Sequence, residues 1–198
     1  MPLDLTYYQR NLPHRLPPGE TLFITFRLAS SVPQIVLEKF QAEAERPTVG
    51  ADDDVYARQK RHFGRVDRYL DQASAGPTWL REPAVADLVK QALHHYDNQS
   101  YLLVCYCLMA NHVHLVVTLP DDAPPLARTL QKIKSYTGIK ANALLSRSGQ
   151  FWQRESYDHI VRDKDEMARI IRYVLENPVK AGLVDDWQAW PHTYWHEP

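Results

Sequence analysis

Two adjacent apolar runs in the middle of the chain constrain its fold more than any other feature. Ser100–Met109 (SYLLVCYCLM) and His112–Leu119 (HVHLVVTL) have the β-branched and aromatic composition of strands, and only Ala110 and Asn111 separate them. Because asparagine tolerates the left-handed conformation that a tight turn needs, we predict a β-hairpin. The core of the fold should therefore include an antiparallel sheet.

The segments on either side of the hairpin predict helices and two further strands. Thr21–Leu28 alternates in polarity and predicts a strand, and Tyr157–Val161 predicts a shorter one. The predicted helices span residues 34–45, 55–72, 82–98, 124–146 and 164–176. The resulting order βαββαβ is that of the ferredoxin-like split motif. We predict an α+β fold in which helices cover an antiparallel sheet.

The 198 residues suit one domain that spans positions 1–198. We expect an extended N-terminal arm to about residue 20 and a Trp-rich C-terminal tail over about 183–198. No apolar run is long enough for a membrane helix, and the first 15 residues lack the apolar region of a secretory signal. The two cysteines, Cys105 and Cys107, are too close together to staple distant elements. A reducing, cytoplasmic location and no membrane partner are expected.

Charge is distributed unevenly along the chain. The net charge of −1 argues mildly against a nucleic-acid partner, since proteins that contact phosphates are usually basic. Residues 123–149, however, contain no acidic side chain. Their cations are Arg128, Lys132, Lys134, Lys140 and Arg147. This segment indicates either a local basic surface or an ordinary solvated helix face.

His112 and His114 are two residues apart on a predicted strand, so both side chains leave the same face of the sheet. Val113 between them points to the opposite face. Two imidazoles on one face can bind a divalent ion, but further ligands must come from elsewhere in the chain. Taken alone, the pair also fits ordinary hydrogen-bonded histidines.

Tyr173 and Asn177 are four residues apart on the helix before Pro178, which places them one turn from each other on the same face. A tyrosine near a helix end is usually a packing residue, and an asparagine before a proline usually ends a helix. Neither residue indicates a function by itself.

Three segments, taken in order, carry a family resemblance. The strand MANHVHLVV, the segment QFWQRESYDHIVRD and the sequence IIRYVLENPVKAGLV resemble those of the REP-associated tyrosine transposases. These are single-tyrosine members of the HUH superfamily, related to the single-strand insertion-sequence transposases. The opening RNLPHRLPPGETLFITFRL also looks like the arm and first strand of one subgroup. The resemblance covers the chain from Arg10 to about Trp190 and implies the HUH nuclease fold.

The resemblance implies an active site. In the family the two histidines of the HUH strand, here His112 and His114, hold Mg²⁺ or Mn²⁺. Tyr173 matches the nucleophile, which leaves a 5′-phosphotyrosine and a free 3′-hydroxyl. Asn177 stands where the insertion-sequence relatives often have a glutamine ligand. Two other tyrosines, at 136 and 157, are competing candidates for the nucleophile, and Glu176 or His159 is a candidate base.

The implied substrate is single-stranded DNA folded into a palindromic hairpin beside a short guide sequence. We expect DNA contacts from the basic helix and the arm, namely Arg128, Lys132, Lys134, Lys140, Arg10, His14 and Arg15. Four tryptophans are candidates for stacking on bases or for packing: Trp152, Trp187, Trp190 and Trp195. The family includes dimers that exchange the tyrosine helix and proteins that act as monomers, so both states stay open.

Two alternatives remain at the level of sequence. If Ala110 and Asn111 form a two-residue turn, Cys107 lies opposite His114, and Cys105 joins the same face. Cys105, Cys107, His112 and His114 would then be a candidate zinc site. The second alternative is a DNA-binding module that keeps the fold but does not cut.

Overall fold

The computed structural model describes residues 19–46 and 55–196. Nearly all of the predicted arm, including Arg10, His14 and Arg15, lies outside these residues. Within the described ranges, no helix combines the length and the apolar character needed to cross a bilayer.

Five antiparallel strands form one sheet in the order β4-β1-β3-β2-β5. The strands are β1 (Thr21–Leu28), β2 (Leu102–Leu108), β3 (His112–Thr118), β4 (Trp152–Ile160) and β5 (Thr193–Trp195). The first four strands with their helices have the predicted ferredoxin-like arrangement, so the α+β prediction is confirmed. The C-terminal tail adds β5 to the free edge of β2, which shields that edge from further pairing.

Among the residues that the structure describes, six helices connect and cover the strands. They are α1 (Gln34–Ala44), α2 (Val55–Gln72), α3 (Pro83–His95), α4 (Leu126–Leu144), α5 (Lys164–Leu175) and α6 (Asn177–Lys180). Short 3₁₀ turns occur at Trp79–Arg81 and Trp187–Ala189. Each predicted helix is present within a few residues of its predicted bounds. The predicted strand near Tyr157 is longer than expected, because it pairs with β1 back to Trp152.

The hairpin forms with the predicted register, in which Cys107 faces His114 and Leu108 faces Val113. It closes through a hydrogen bond of 2.9 Å from the Met109 amide to the His112 carbonyl. The reason assigned to Asn111 is wrong, because its backbone is not in the left-handed region. Its side chain is instead 1% exposed and bonds to the Leu70 carbonyl of α2 and to the ring of the adjacent His112.

The two faces of the sheet have different roles. Val113, Leu115 and Val117 point into a large apolar core that α3 and α4 cover. On the opposite face, Phe23 and Val116 pack with α5 and the C-terminal tryptophans. Because side chains alternate along a strand, His112 and His114 lie on this second face.

The α1–α2 segment lies over the histidine face of the sheet. Phe63 on α2 stacks on Tyr157 of β4 at a centroid distance of 3.9 Å and meets Phe23 of β1 edge to face. The segment leaves and rejoins the rest of the fold at one close contact between Ser30 and Gly76. Gly76 has φ +79°, and a Cβ there would lie 2.6 Å from the Ser30 carbonyl oxygen, so only glycine fits.

Candidate metal centre and its tyrosine

His112 and His114 are fully buried, and their Nε2 atoms lie 3.0 Å apart. This separation follows from two residues on one face of a strand whose rings converge. Buried groups of this kind need partners for every polar atom, since an unsatisfied buried polar group is costly. The partners of the outer Nδ1 atoms and of the inner Nε2 atoms therefore define the site.

The outer nitrogens are held by neighbours on the sheet and its turn. His112 Nδ1 lies 2.7 Å from Asn111 Oδ1, and Asn111 Nδ2 donates to the Leu70 carbonyl oxygen at 3.0 Å. With its NH₂ group engaged in this way, Asn111 offers His112 only an acceptor, so Nδ1 carries the proton and Nε2 a lone pair. His114 Nδ1 lies 2.8 Å from Thr25 Oγ1 on β1. These contacts are of the type that orients metal-binding histidines in proteins.

Helix α2 brings two carboxylates to the inner nitrogens. Asp67 Oδ1 lies 3.4 Å from His114 Nε2, and Asp71 Oδ1 lies 3.5 Å from His112 Nε2. The two aspartates are four residues apart and so share one face of the helix. Asp67, His112 and His114 place one ligand atom each within 4.8 Å of one another, which is the separation expected around a shared ion.

Helices α5 and α6 bring Tyr173 and Asn177 to the same place. The Tyr173 hydroxyl donates a hydrogen bond to Asp67 Oδ2, and its ring lies 5.5 Å from that of His114. Asn177 is fully buried, with Nδ2 at 3.2 Å from His114 Nε2. The helical spacing predicted for Tyr173 and Asn177 does bring both side chains to His114.

The unsatisfied atoms of the site fit a cation. Asp67 Oδ1, Asp71 Oδ1 and Asn177 Oδ1 are buried acceptors without a hydrogen-bond partner. All three surround histidine nitrogens that also point inward. A divalent ion would satisfy these lone pairs together, and a donor set of imidazole, carboxylate and amide oxygen suits Mg²⁺ or Mn²⁺. The residues present therefore fit the metal that the sequence resemblance implies.

The protonation states follow from burial. Burial lowers the pKa of His112 to about 3 and that of His114 well below its ordinary value, so both rings are neutral at pH 7. Burial and the neighbouring Asp71 raise the pKa of Asp67 well above its ordinary value, and burial raises the pKa of Asp71 to about 6. Neutral imidazoles are the form that binds metals.

Lys180 is the cation nearest the tyrosine. Its Nζ lies 4.7 Å from the centre of the Tyr173 ring. Its charge opposes the rise in the pKa of Asp67 and Asp71 and helps to lower the pKa of His114. Lys180 therefore adds positive potential beside the Tyr173 ring.

The other candidate tyrosines and His159 make different contacts. Tyr136 is 53% exposed on α4, on the opposite face of the sheet. Tyr157 stacks on Phe63. Of the two candidate bases, His159 pairs with Glu166 at 3.2 Å, and the acceptor for the Tyr173 hydroxyl is Asp67.

The basic helix α4 covers the sheet face opposite the histidines. Arg128, Lys132 and Lys140 are exposed there. Lys134 instead reaches the β4 edge, where its Nζ bonds to the Arg154 carbonyl at 2.9 Å and the Ser156 hydroxyl at 3.1 Å. Contact between these cations and DNA stays a prediction.

The tryptophans pack against the protein itself. Trp152 is buried against Phe26, and its Nε1 donates to Thr137 Oγ1 at 2.8 Å. Trp190 Nε1 donates to the Leu108 carbonyl oxygen at 2.9 Å. The remaining two, Trp187 and Trp195, pack against the smaller core on the histidine face.

The cysteines do not join the metal centre. Cys107 Sγ donates to Met109 Sδ and accepts from the Thr193 hydroxyl. Burial raises the pKa of both thiols, that of Cys107 to about 12, which disfavours the thiolate that binds zinc. Among the described residues, the group able to hold a metal contains Asp67 and the two histidines, so the four-ligand zinc set is not formed.

Sequence reasoning missed Asp67, Asp71, Thr25, Asn111 and Lys180. One signal for the aspartates was available. Phe63, Asp67 and Asp71 are four residues apart in turn and so share one face of α2. Two acidic residues therefore stand on the face of the helix that packs on the sheet. Acids on a packing face are usually paired or bind metals.

Comparisons with known proteins support the family resemblance. No family model matches the chain. The chain is 29% identical over 116 residues to a REP-associated tyrosine transposase of Haemophilus influenzae, covering 54% of this chain and 64% of that protein. It is 24% identical over 95 residues to a REP-associated tyrosine transposase of Escherichia coli, covering 46% of this chain and 52% of that protein. The matches thus span between half and two thirds of these relatives' lengths.

The fold also resembles a solved structure, that of a REP-associated tyrosine transposase bound to a REP hairpin. The TM-score is 0.57 at 16% identity, over 96% of this chain and 82% of the other. At this identity the likeness concerns the fold. Together with the two sequence matches, it confirms that this chain is a relative of the REP-associated tyrosine transposases.

Proposed function

We propose that this chain is a metal-dependent tyrosine transposase that cuts and rejoins single-stranded DNA beside a palindromic hairpin. The observation that supports this most is the convergence of Tyr173 and Asn177 with His112 and His114 in one buried centre. The names of the relatives, and the hairpin bound to the structural neighbour, support the substrate class.

His112 and His114 would hold Mg²⁺ or Mn²⁺, with Asp67 and Asn177 as further ligands. When bound, the ion supplies Lewis acidity that offsets the charge developing on the scissile phosphate. Thr25 and Asn111 keep the two imidazoles in the orientation this requires.

Tyr173 would act as the nucleophile. As its oxygen bonds to phosphorus, its proton passes to Asp67 Oδ2, which already accepts its hydrogen bond. The bond from phosphorus to the 3′ oxygen breaks, and that oxygen takes up a proton to become a free 3′-hydroxyl. The DNA is left joined to Tyr173 through its 5′ phosphate. A second 3′-hydroxyl can then attack the phosphorus and give up its proton, while the Tyr173 oxygen leaves and takes a proton back from Asp67, so that the strands are rejoined.

The contacts of α5 favour action by a single chain. Asp163 caps the helix by accepting from the Glu166 amide at 2.7 Å. Glu166 in turn binds the Arg162 guanidinium at 3.0 Å and His159 at 3.2 Å. These contacts hold the N-terminal end of α5, and the hydrogen bond from Tyr173 to Asp67 holds its C-terminal end within the same chain. We therefore propose a monomer with Tyr173 acting in cis. We place the activity in the cytoplasm, where the two thiols stay reduced.

The test is the formation of a covalent protein–DNA adduct. The full chain is incubated with Mn²⁺ and single-stranded oligonucleotides that carry a palindromic hairpin between randomised flanks. Denaturing gels detect protein joined to DNA. We expect adducts with the wild type and with Tyr136→Phe, and none with Tyr173→Phe or without a divalent ion.

Other outcomes of this adduct assay would identify a different nucleophile or a different function. An adduct that persists in Tyr173→Phe and disappears in Tyr157→Phe or Tyr136→Phe would show that another tyrosine is the nucleophile. Hairpin binding without an adduct under Mg²⁺ or Mn²⁺ would contradict the enzyme and favour a DNA-binding module.

A further inference from the structure

A pocket of about 330 Å³ lies beside the metal centre, between the sheet and the α1–α2 segment. Its floor is formed by β1 and β4 and its roof by α1 and α2. It shares two residues with the centre: Asp67, and Thr25, which contacts His114. The volume is at the small end of the range for ligand sites and suits about one nucleoside.

Arg27 supplies a positive charge to this pocket, whose lining also includes the carboxyl groups of Glu155 and Asp67. It lies on the same face of β1 as Thr25, and its Nη1 donates to Ser31 Oγ at 3.2 Å. Burial lowers its pKa to about 10, and no acidic group acts to raise it. Within the described ranges, no ion pair accounts for this guanidinium. A partly buried guanidinium without an ion-pair partner can donate two hydrogen bonds to two neighbouring acceptor atoms of a ligand.

The roof of the pocket provides a hydrogen-bond acceptor, whereas Arg27 on the floor provides donors. His62 bonds to the Phe40 backbone carbonyl, and burial lowers its pKa, so its ring is neutral at pH 7. Its Nδ1 is buried and has no partner. With the ring proton used on Phe40, Nδ1 presents a lone pair. The same pocket thus contains a donor fork on its floor and an acceptor on its roof.

An aromatic wall completes the pocket. Phe63 and Tyr157 line it and are stacked on each other at 3.9 Å. Aromatic side chains of this kind stack on nucleobases in single-stranded nucleic-acid sites. The pocket therefore combines apolar surface with polar groups able to distinguish one base from another.

We propose that this pocket receives the nucleobase next to the scissile phosphate and selects guanine through Arg27. The proposal rests on the DNA-cutting function proposed above. A phosphate at the histidines carries its adjoining nucleoside to the end of the pocket formed by Thr25 and Asp67. Guanine has two acceptors, O6 and N7, which match the arginine fork, and donors on another edge for His62 Nδ1.

The first test reads base preference in the adducts. Covalent complexes are formed with the randomised-flank oligonucleotides and sequenced, using the wild type, Arg27→Gln and the control Arg154→Gln. Arg154 is exposed on β4 and lies outside the pocket. We expect guanine to be enriched about 10-fold at the position adjoining the cleaved bond, since a bidentate base contact contributes a factor of that order.

That enrichment should fall below about 2-fold in Arg27→Gln and persist in Arg154→Gln. Equal preference in the wild type and Arg27→Gln would overturn the proposal. Cleavage without any preference at this position would overturn it as well.

The second test does not depend on cutting. Binding of dGMP, dAMP, dCMP and dTMP to the Tyr173→Phe protein is measured by ligand-observed NMR. We expect dGMP to bind about 10-fold more tightly than the others and to lose this advantage when Arg27→Gln is added. If circular dichroism shows that Arg27→Gln is unfolded, Arg27→Lys replaces it, because lysine keeps the positive charge without the two-donor fork, and the preference for dGMP should again be lost.

The two tests separate the two proposals. If dGMP binds selectively but the wild type forms no adduct, the pocket stands and the cutting function fails. If adducts form and none of the four nucleotides binds selectively, the cutting function stands and the pocket assignment fails.

Discussion

The substitution Thr25→Val tests whether Thr25 orients His114 for metal binding, separately from its contribution to the stability of the strand. Thr25 is 6% exposed, and its hydroxyl lies 2.8 Å from His114 Nδ1. Valine keeps the shape and strand preference of threonine and removes only the hydroxyl. Thr21→Val is the matched control. Thr21 lies on the same face of β1, and its hydroxyl lies 2.8 Å from that of Thr118 on β3, away from the histidines.

The expected magnitudes differ between the two variants. Losing one neutral hydrogen bond costs about 0.5–1.5 kcal/mol of unfolding free energy, and leaving a buried partner unsatisfied costs about 1–3 kcal/mol. We therefore expect a loss of about 1–2 kcal/mol for Thr25→Val and less than about 1 kcal/mol for the partly exposed Thr21→Val. Loss of a hydrogen bond to a metal-binding histidine weakens metal affinity by about 10–100-fold, and this should occur in Thr25→Val alone.

Stability is measured by urea unfolding in EDTA, and Mn²⁺ affinity by titration calorimetry on the folded proteins. If Thr25→Val binds Mn²⁺ within about 2-fold of the wild type, Thr25 does not orient His114 for a metal in the manner expected of such contacts. If Thr21→Val weakens Mn²⁺ binding equally, the loss of affinity comes from the strand as a whole.

Three further predictions concern stability. Burial raises the pKa of Asp158 to about 6, so the folded state holds this proton more tightly than the unfolded chain does. The free energy of unfolding should therefore fall as pH rises from about 4 to 6. Asp158→Asn should add about 1–2 kcal/mol to it at pH 7.5 and nothing below pH 4, measured by urea unfolding at both pH values. Trp190→Phe removes the indole hydrogen bond to the β2 backbone and should cost about 1–2 kcal/mol in the same assay, and an unchanged midpoint would show that the tail adds no stability. Gly76→Ala should cost more than about 2 kcal/mol, because its Cβ would meet the Ser30 carbonyl oxygen at a positive φ. Gly64→Ala on the open face of α2 should be neutral or stabilising by up to about 1 kcal/mol, and equal losses in the two glycine variants would contradict the steric argument.

The strands and helices could be predicted because their signals are local. Period-two alternation in residues 100–119 determined the hairpin and the shared face of His112 and His114. A residue spacing of four placed Tyr173 and Asn177 on one helix face. The described structure has the predicted hairpin and the predicted shared face of the two histidines. It places Tyr173 near the end of α5 and Asn177 at the start of α6, and the spacing of four still brings both side chains to His114.

The remainder of the site depends on packing between elements that are distant in sequence. The bounds of α2 were predicted correctly, but nothing local to it indicates that it lies over the histidines. Asp67 is 106 residues from Tyr173, and Thr25 is 89 residues from His114. Asn111 was misjudged for a related reason: its role depends on the Leu70 carbonyl, which α2 brings to the turn.

The contact between Ser30 and Gly76 marks the boundary between two parts of the chain that each contribute residues to the site. Helices α1 and α2 leave the sheet after Ser30 and the chain returns to it at Gly76, so a chain that joined residue 30 directly to residue 76 would retain the residues of all five described strands. It would also retain the two histidines, Tyr173, Asn177 and Arg27, and would lose both carboxylates and the roof of the pocket. Substitutions in α1 and α2 can therefore change the acid groups beside the histidines and the shape of the pocket without changing any residue of the sheet.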